Sequence, residues 1–170
     1  MEAKRLETDA RRVVLEELER TRQRIADNHI GAGQRASGKT ADSITAIIEE
    51  EAGIIIGGID ARPYFAATET GTKPWRTIYT RQRRDGSNYP SAPKWFIDVI
   101  RDWAVAKGIP VGSSWGIATR IMTEGSKLFR EGGRADIFSY EIPELLRRIA
   151  ERLAGLFEAQ LVESILRKTE

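Results

Sequence analysis

Ser43-Ile44-Thr45-Ala46-Ile47-Ile48-Glu49-Glu50-Glu51-Ala52-Gly53-Ile54-Ile55-Ile56-Gly57-Gly58-Ile59-Asp60 places seven isoleucines in eighteen residues. β-branched side chains crowd the turn of a helix but fit a pleated surface, so the stretch reads as two strands, Ser43 to Glu51 and Gly53 to Ile59. The Glu-Glu-Glu-Ala-Gly segment between them offers the turn of a hairpin. Alternation of apolar and polar positions is imperfect, so the pattern alone leaves the register open.

Helical periodicity flanks this hairpin. Before it, Leu6, Ala10, Val13, Val14, Leu18 and Ile25 recur at spacings near three and four with charges between, the stripe of one amphipathic helix over residues 1–28. Residues 29–42 follow as a glycine-rich loop that is expected to be mobile. After the hairpin, Arg62-Pro63-Tyr64-Phe65-Ala66-Ala67-Thr68-Glu69-Thr70-Gly71-Thr72-Lys73 has a proline at its start and a glycine near its end, the punctuation of a short helix or turn over 62–72. Nothing in it supplies a nucleophile or a metal cage. It reads as architecture.

Residues 73–92 read as a long polar connection, with a short strand around Thr77 to Thr80. From 93 to 170 the chain is helical. Pro93 opens a helix with a stripe of Phe96, Val99, Ile100 and Trp103, ended by Gly108 and Pro110. Ser113 or Ser114 is placed to cap a helix bearing Ile117, Ile121 and Met122 and stopping near Gly125. The last helix runs from about Pro143 to Arg167, its stripe being Leu145, Leu146, Ile149, Leu153, Leu156, Phe157, Leu161 and Ile165. The fold class is therefore α+β, a small antiparallel sheet with helices segregated around it, expected as a single domain over residues 1–170.

Composition narrows the chemistry. The chain has 170 residues, 31% charged and 41% apolar, with a formal net charge of +2, so no global field attracts nucleic acid or acidic lipid and any such contact needs a local patch. There is no cysteine, which excludes disulfides and thiolate metal sites and fits a reducing cytoplasm. The opening residues are charged from Glu2 onward, unlike a signal peptide, and no apolar run has the length of a membrane span, so a soluble protein is expected. His29 is the one histidine and reads as a solvated residue at a helix end. With no cysteine beside it, the usual nucleophile–base pairs are nearly unavailable. Asp98 and Asp102 sit four apart on a helix face and read as solvated charge rather than a cation site. No cofactor or metal is expected.

Gly33-Gln34-Arg35-Ala36-Ser37-Gly38-Lys39-Thr40 matches the phosphate-loop pattern G-x-x-x-x-G-K-[ST]. That site requires a buried parallel strand before the loop and a helix after it, whose N-terminal amides meet the phosphates. Here an amphipathic helix precedes and a strand follows. Nucleotide binding is the least favoured reading; tight ATP binding lost in Lys39→Ala would reinstate it.

Lys73, Arg76, Arg81, Arg83 and Arg84, interleaved with Trp75 and Tyr79 and free of acids, form the other notable cluster. Arginine and aromatic side chains anchor protein interfaces. They also neutralise phosphates and stack on bases, and a plain exposed loop is the third alternative.

Ser37-Gly38-Lys39-Thr40-Ala41-Asp42-Ser43-Ile44, the hairpin, and then Tyr64-Phe65-Ala66 with Glu69, Gly71 and Thr72 together resemble the tail-completion and neck (head–tail connector, minor tail) proteins of tailed bacteriophages. There a Thr/Ser-Gly-x-Leu-x-x-Ser-Ile segment precedes the strands and a Tyr-Ala-x-x-Val-Glu-x-Gly-Thr segment follows them. Ser37, Gly38, Ser43 and Ile44 match the first; Glu69, Gly71 and Thr72 match the second, with Tyr64 or Phe65 as the aromatic. Thr40 stands where the family favours leucine and Thr68 where it favours an aliphatic residue, and the part beyond residue 90 is larger than in compact members. The resemblance covers residues 10–75. It implies a virion component, assembled in the host cytoplasm, that forms a homo-oligomeric ring, commonly sixfold, with neighbouring head or tail proteins. It implies no enzymatic activity, no cofactor and no membrane. A head-to-tail ring needs two complementary patches. The expected ones are the 73–92 loop with Trp75, Arg76, Tyr79, Arg81, Arg83 and Arg84, and the helical 113–130 region with Trp115 or the last helix. Segments 28–40 and 80–92 are expected to become ordered only on assembly.

Overall fold

The computed structural model describes residues 2–34 and 38–169. The fold is α+β: α1 (Glu2–Gly31), β1 (Thr45–Glu51), β2 (Ile54–Asp60), α2 (Ala67–Thr70), β3 (Thr80–Gln82), β4 (Asn88–Pro90), α3 (Lys94–Ala106), α4 (Ser114–Glu124), α5 (Lys127–Arg130) and α6 (Glu141–Thr169). Where one domain is expected from length, the contacts divide the chain into two compact units. One comprises Met1–Ala32, Ala41–Arg62 and Asp136–Glu170, the other Gly33–Thr40 and Pro63–Ala135.

In the first unit, β1 and β2 pair antiparallel with Glu51 opposite Ile54 and Thr45 opposite Asp60. This register settles the faces. Ala46, Ile48, Ile55 and Ile59 pack with Val14 and Leu18 of α1 and with Leu145 and Ile149 of α6, while Ile47, Ile54 and Ile56 face outward and are exposed. The expected α1 stripe is buried at Ala10, Val13, Val14, Leu18 and Ile25. Each large apolar side chain withdrawn fully from water contributes about 1.5–3 kcal/mol, which makes Leu18 and Ile25 principal anchors. Gly57 interrupts the isoleucines for a steric reason: a β-carbon there would lie 2.8 Å from Leu18 Cδ1 and 2.9 Å from Val14 Cγ1. The helix comes too close to the strand for any side chain at that point.

The turn is tight. Ala52 and Gly53 both have positive φ, 51° and 79°, as a two-residue hairpin loop of the left-handed type requires. Alanine is strained there, whereas asparagine adopts this conformation readily. Ala52→Asn should therefore raise the stability of the first unit by about 0.5–1 kcal/mol, read as a higher midpoint in far-UV circular dichroism melts. An unchanged or lower midpoint would contradict this.

Two expectations for the first unit need correction. His29 is buried, not solvated: α1 runs on to Gly31, and His29 lies four residues beyond Ile25, so it continues the inward stripe. On α6, Leu145 is buried, Ile149, Leu153 and Leu156 are half-buried, and Leu146, Phe157, Leu161 and Ile165 are exposed. One straight helix turns only part of so broad an apolar band toward α1 and the hairpin.

The second unit has its own core of Ala92, Ile97, Ile100, Ala118 and Met122, with Trp75, Phe96, Ile117 and Ile121 partly buried against it. The inward stripe of α3 is thus Ile97, Ile100 and Ala104, displaced from the expected one; Val99 and Trp103 are exposed. Small Ala104 is fully buried, which a pattern weighted toward large residues overlooks. Pro93 stands immediately before α3, as expected. Neither Ser113 nor Ser114 caps α4 with its side chain. The serine that caps is Ser126, whose Oγ accepts from Phe129 N–H at the start of α5.

The segment expected to be an open connection is a hairpin. Thr80 pairs with Pro90, Arg81 with Tyr89 and Gln82 with Asn88. Its loop is closed by Arg83 N–H to Ser87 O (2.8 Å) and by Asp85, whose Oδ1 accepts from both Ser87 N–H and Ser87 Oγ. The Ser87 hydroxyl, followed by its amide, holds the Asp85 carboxyl below the usual aspartate value. The strand lies three residues later than the expected Thr77–Thr80.

Candidate interaction surface

The residues that carry the family resemblance divide between the two units. Ser43 and Ile44 belong to the first, where Ile44 is buried at the end of a 3-10 turn; Gly38, Tyr64, Glu69, Gly71 and Thr72 belong to the second. Ser37, with Arg35 and Ala36, lies outside the described residues. Pro63–Ala66 forms a 3-10 turn leading into α2, so the short helical element falls where expected. Tyr64 is exposed; Glu69 is buried, and its carbonyl accepts from Arg134 N–H at 2.9 Å. Thr72 and Ser126 clasp each other: Thr72 N–H donates to Ser126 Oγ at 2.9 Å and Ser126 N–H donates to Thr72 O at 2.8 Å. The same Oγ that caps α5 thus ties the end of α2 to it. Glu69, Gly71 and Thr72 are a structural joint.

The chemically distinctive surface of the second unit begins immediately after this joint. Trp75 N–H donates to Met122 O (2.9 Å), which fixes the indole at the edge of the core. There it tilts against Phe96 (4.9 Å between centroids), stacks on Trp95 (5.6 Å, 15° between planes) and meets Tyr79 edge-on (6.2 Å). Trp95, at 60% exposure, forms the outer layer of the stack, and Tyr79 is exposed beside it. Aromatic pairs at such separations contribute about 0.5–1.5 kcal/mol beyond their buried area, so the cluster is preformed.

A second aromatic pair adjoins β3–β4. The Arg83 guanidinium lies over the Tyr89 ring at 5.3 Å, and Tyr89 meets Trp115 edge-on at 6.2 Å. Trp115 is anchored by its Nε1–H to Ser91 Oγ (3.0 Å) yet remains 42% exposed. An open groove of about 490 Å³ runs along Arg83, Tyr89, Trp115, Arg120 and Glu124. Lys73, Arg76, Arg81, Arg83 and Arg84 are exposed, and none of them joins a carboxylate in an ion pair among the described residues. Arg120, by contrast, is held by Glu124 at 2.9 Å.

All seven expected interface residues, Trp75, Arg76, Tyr79, Arg81, Arg83, Arg84 and Trp115, therefore lie in this unit. Trp95 and Tyr89 were not among them. Both signals were present: Trp95 is an aromatic in the first turn of a helix, and Tyr89 lies three residues beyond an Asp-Gly turn.

The remaining candidates resolve as structure. Asp98 accepts from Lys94 Nζ (2.7 Å) and Arg101 Nη1 (3.0 Å), and the Lys94 hydrogen bond holds its carboxyl below the usual range. Among the described residues no three histidine or carboxylate groups come together as a metal site, and no helix is long and apolar enough to cross a membrane. The phosphate-loop pattern lies between α1 and a 3-10 turn that leads into the antiparallel strand β1, with Gln34 Nε2 bound to Thr68 O at 2.7 Å. No protein-family model, curated protein or solved structure matches this chain.

Proposed function

We propose that this chain is a structural virion protein of a tailed phage or prophage, of the tail-completion, neck or minor tail type. It forms a ring at the head–tail junction or the tail end by contacts with copies of itself and with neighbouring head or tail proteins. It works by shape and contact and is not an enzyme. One observation carries the reading: the preformed aromatic stack of Trp75, Trp95 and Tyr79, in the same unit as five exposed cations that join no carboxylate among the described residues. Tryptophan, tyrosine and arginine are the side chains that concentrate binding energy at protein interfaces. The resemblance over residues 10–75 supports the same assignment.

Purified protein is expected to give discrete rings by native mass spectrometry and negative-stain microscopy. Trp95→Ala with Tyr79→Ala should raise the concentration for half-assembly at least tenfold, the loss of two aromatic anchors at about 1 kcal/mol or more each. These two are better probes than Trp75, whose ring also supports the core. Unchanged rings would remove this surface from the interface.

A second reading, a nucleic-acid-binding or adaptor protein, is favoured by the arginine laid on Tyr89 and the unpaired cations nearby. It requires a salt-sensitive DNA mobility shift by monomeric protein that disappears in Arg83→Ala with Arg84→Ala.

A further inference from the structure

We infer that the contact between neighbouring copies is head-to-tail and joins two hairpins of opposite charge. The outer face of β1–β2 on one copy receives the arginine-bearing face of β3–β4 on the next. This rests on the self-assembly reading above and names the surfaces that perform it.

The outer face of β1–β2 is acidic and apolar together. Its register sets Glu49 opposite Ile56, Glu51 opposite Ile54, and Thr45 opposite Asp60, with Ile47 in the same row. Ile54 and Ile56 are 63% and 53% exposed. No lysine or arginine occurs from Ser43 to Ala61. Glu50, on the inward row, approaches Arg11 at 3.9 Å, but Glu49 and Glu51 have no ion pair among the described residues. A row of carboxylates beside bare isoleucine is a poor surface to leave in water, because the like charges repel and the apolar area is unused.

The other hairpin has the complementary character. Arg81 stands directly across from Tyr89, and Arg83, two residues on, lies over the same ring, so both arginines share one face with an aromatic. Tyr79 and Trp95 supply apolar area close by. A twofold contact through either hairpin would set acid against acid or arginine against arginine. Pairing the acidic face of one copy with the arginine face of the next matches opposite charges, and repeated head to tail such a heterologous contact closes a ring. Charge then steers and registers the encounter while isoleucine and aromatic burial holds it. A nucleic acid would satisfy the arginines but leave the acidic isoleucine face unused; a second copy satisfies both.

The test is charge reversal with rescue. Glu49→Lys with Glu51→Lys, and separately Arg81→Glu with Arg83→Glu, should each raise the concentration for half-assembly at least tenfold in light scattering. Mixing the two variants in equal amounts should restore rings, because each reversed face now meets an opposite charge on the other variant, and the fourfold variant should assemble alone. A variant that merely misfolds would not be rescued. Rings that survive either reversal, or fail to return on mixing, overturn this contact and leave the self-assembly reading standing. Wild-type protein that stays monomeric to millimolar concentration in low salt overturns both. A DNA shift by that monomer, lost in Arg81→Glu with Arg83→Glu, would reassign the basic hairpin to nucleic acid.

Discussion

Gly71→Ala is expected to destabilise the second compact unit by about 3–5 kcal/mol, the sum of a left-handed backbone penalty and a steric overlap. Gly71 has φ 70°, and a β-carbon there would lie 2.3 Å from Phe129 N, 2.6 Å from Ser126 Oγ and 2.8 Å from Phe129 Cα. Two of these three are backbone atoms of α5 and cannot rotate away. Moving α5 aside would pull Ser126 from Thr72 and release the cap on Phe129 N–H, so the overlap spreads into the joint. All four tryptophans, Trp75, Trp95, Trp103 and Trp115, belong to this unit, so tryptophan fluorescence reports it selectively. The midpoint of its thermal transition should fall by at least about 12 °C, at about 4 °C or more per kcal/mol for a unit of this size. Gly86→Ala is the control: its φ is 83°, but nothing lies within 4 Å of the added carbon. It carries only the backbone strain, about 1–2 kcal/mol. Equal losses in the two variants would show that the close approach at Gly71 is unimportant.

Gly71 also marks where the sequence was legible. A proline, a helix-length interval and a glycine were enough to place the 62–72 element, because those residues act through their own backbone geometry. The β1–β2 hairpin was legible for a similar reason: β-branched residues and an Ala-Gly turn act locally. The register was not, since it depends on which isoleucines meet Val14, Leu18 and Leu145, residues distant in sequence. Asp85-Gly86 was a local signal that the arginines around it obscured; it specifies the β3–β4 turn and should have split the connection into a hairpin. On α3, tertiary context outweighed pattern. Val99 and Trp103 looked like core by size, but Ala104 lies inside because the segment after the helix returns across it, with Ile109 N–H bonded to Ala104 O at 2.8 Å.

The candidate surface was legible as composition and invisible as geometry. The run from Lys73 to Arg84 displays its arginines and aromatics openly, whereas the stack on Trp95 and the approach of Arg83 to Tyr89 require the fold. His29 shows the converse. A histidine beside glycines suggested solvent, and only the continuation of α1 to Gly31 carries it inside.

The largest electrostatic effect is expected at Glu17, which is 1% exposed on the face of α1 that meets α6. Arg148 Nε donates to its Oε2 at 2.8 Å and Arg152 Nη1 to its Oε1 at 2.9 Å, while Arg148 Nη2 continues to Thr21 Oγ1 at 2.8 Å. Burial alone would raise the carboxyl; the Arg148 and Arg152 hydrogen bonds and the nearby Arg20 charge outweigh it and hold the group below the ordinary glutamate value of 4.5. A carboxyl depressed in the folded state stabilises fully above that ordinary value. The contribution is lost as pH falls through the lower, folded value. Wild-type stability should therefore decline on acidification below about pH 4.5, and Glu17→Gln should flatten that limb. Glu17→Ala should cost the first unit about 3 kcal/mol, because it leaves the half-buried Arg148, its side chain 13% exposed, without its counter-charge. Far-UV circular dichroism can follow this loss, since α1 and α6 supply most of the helix. Replacing both partners, Glu17→Leu with Arg148→Met, should recover most of it, since the principal expense is an unpaired charge rather than a missing bridge. A Glu17→Ala loss under 1 kcal/mol, or a double variant no better than the single, would mean that water reaches this seam and that the two helices are held by their apolar stripe alone.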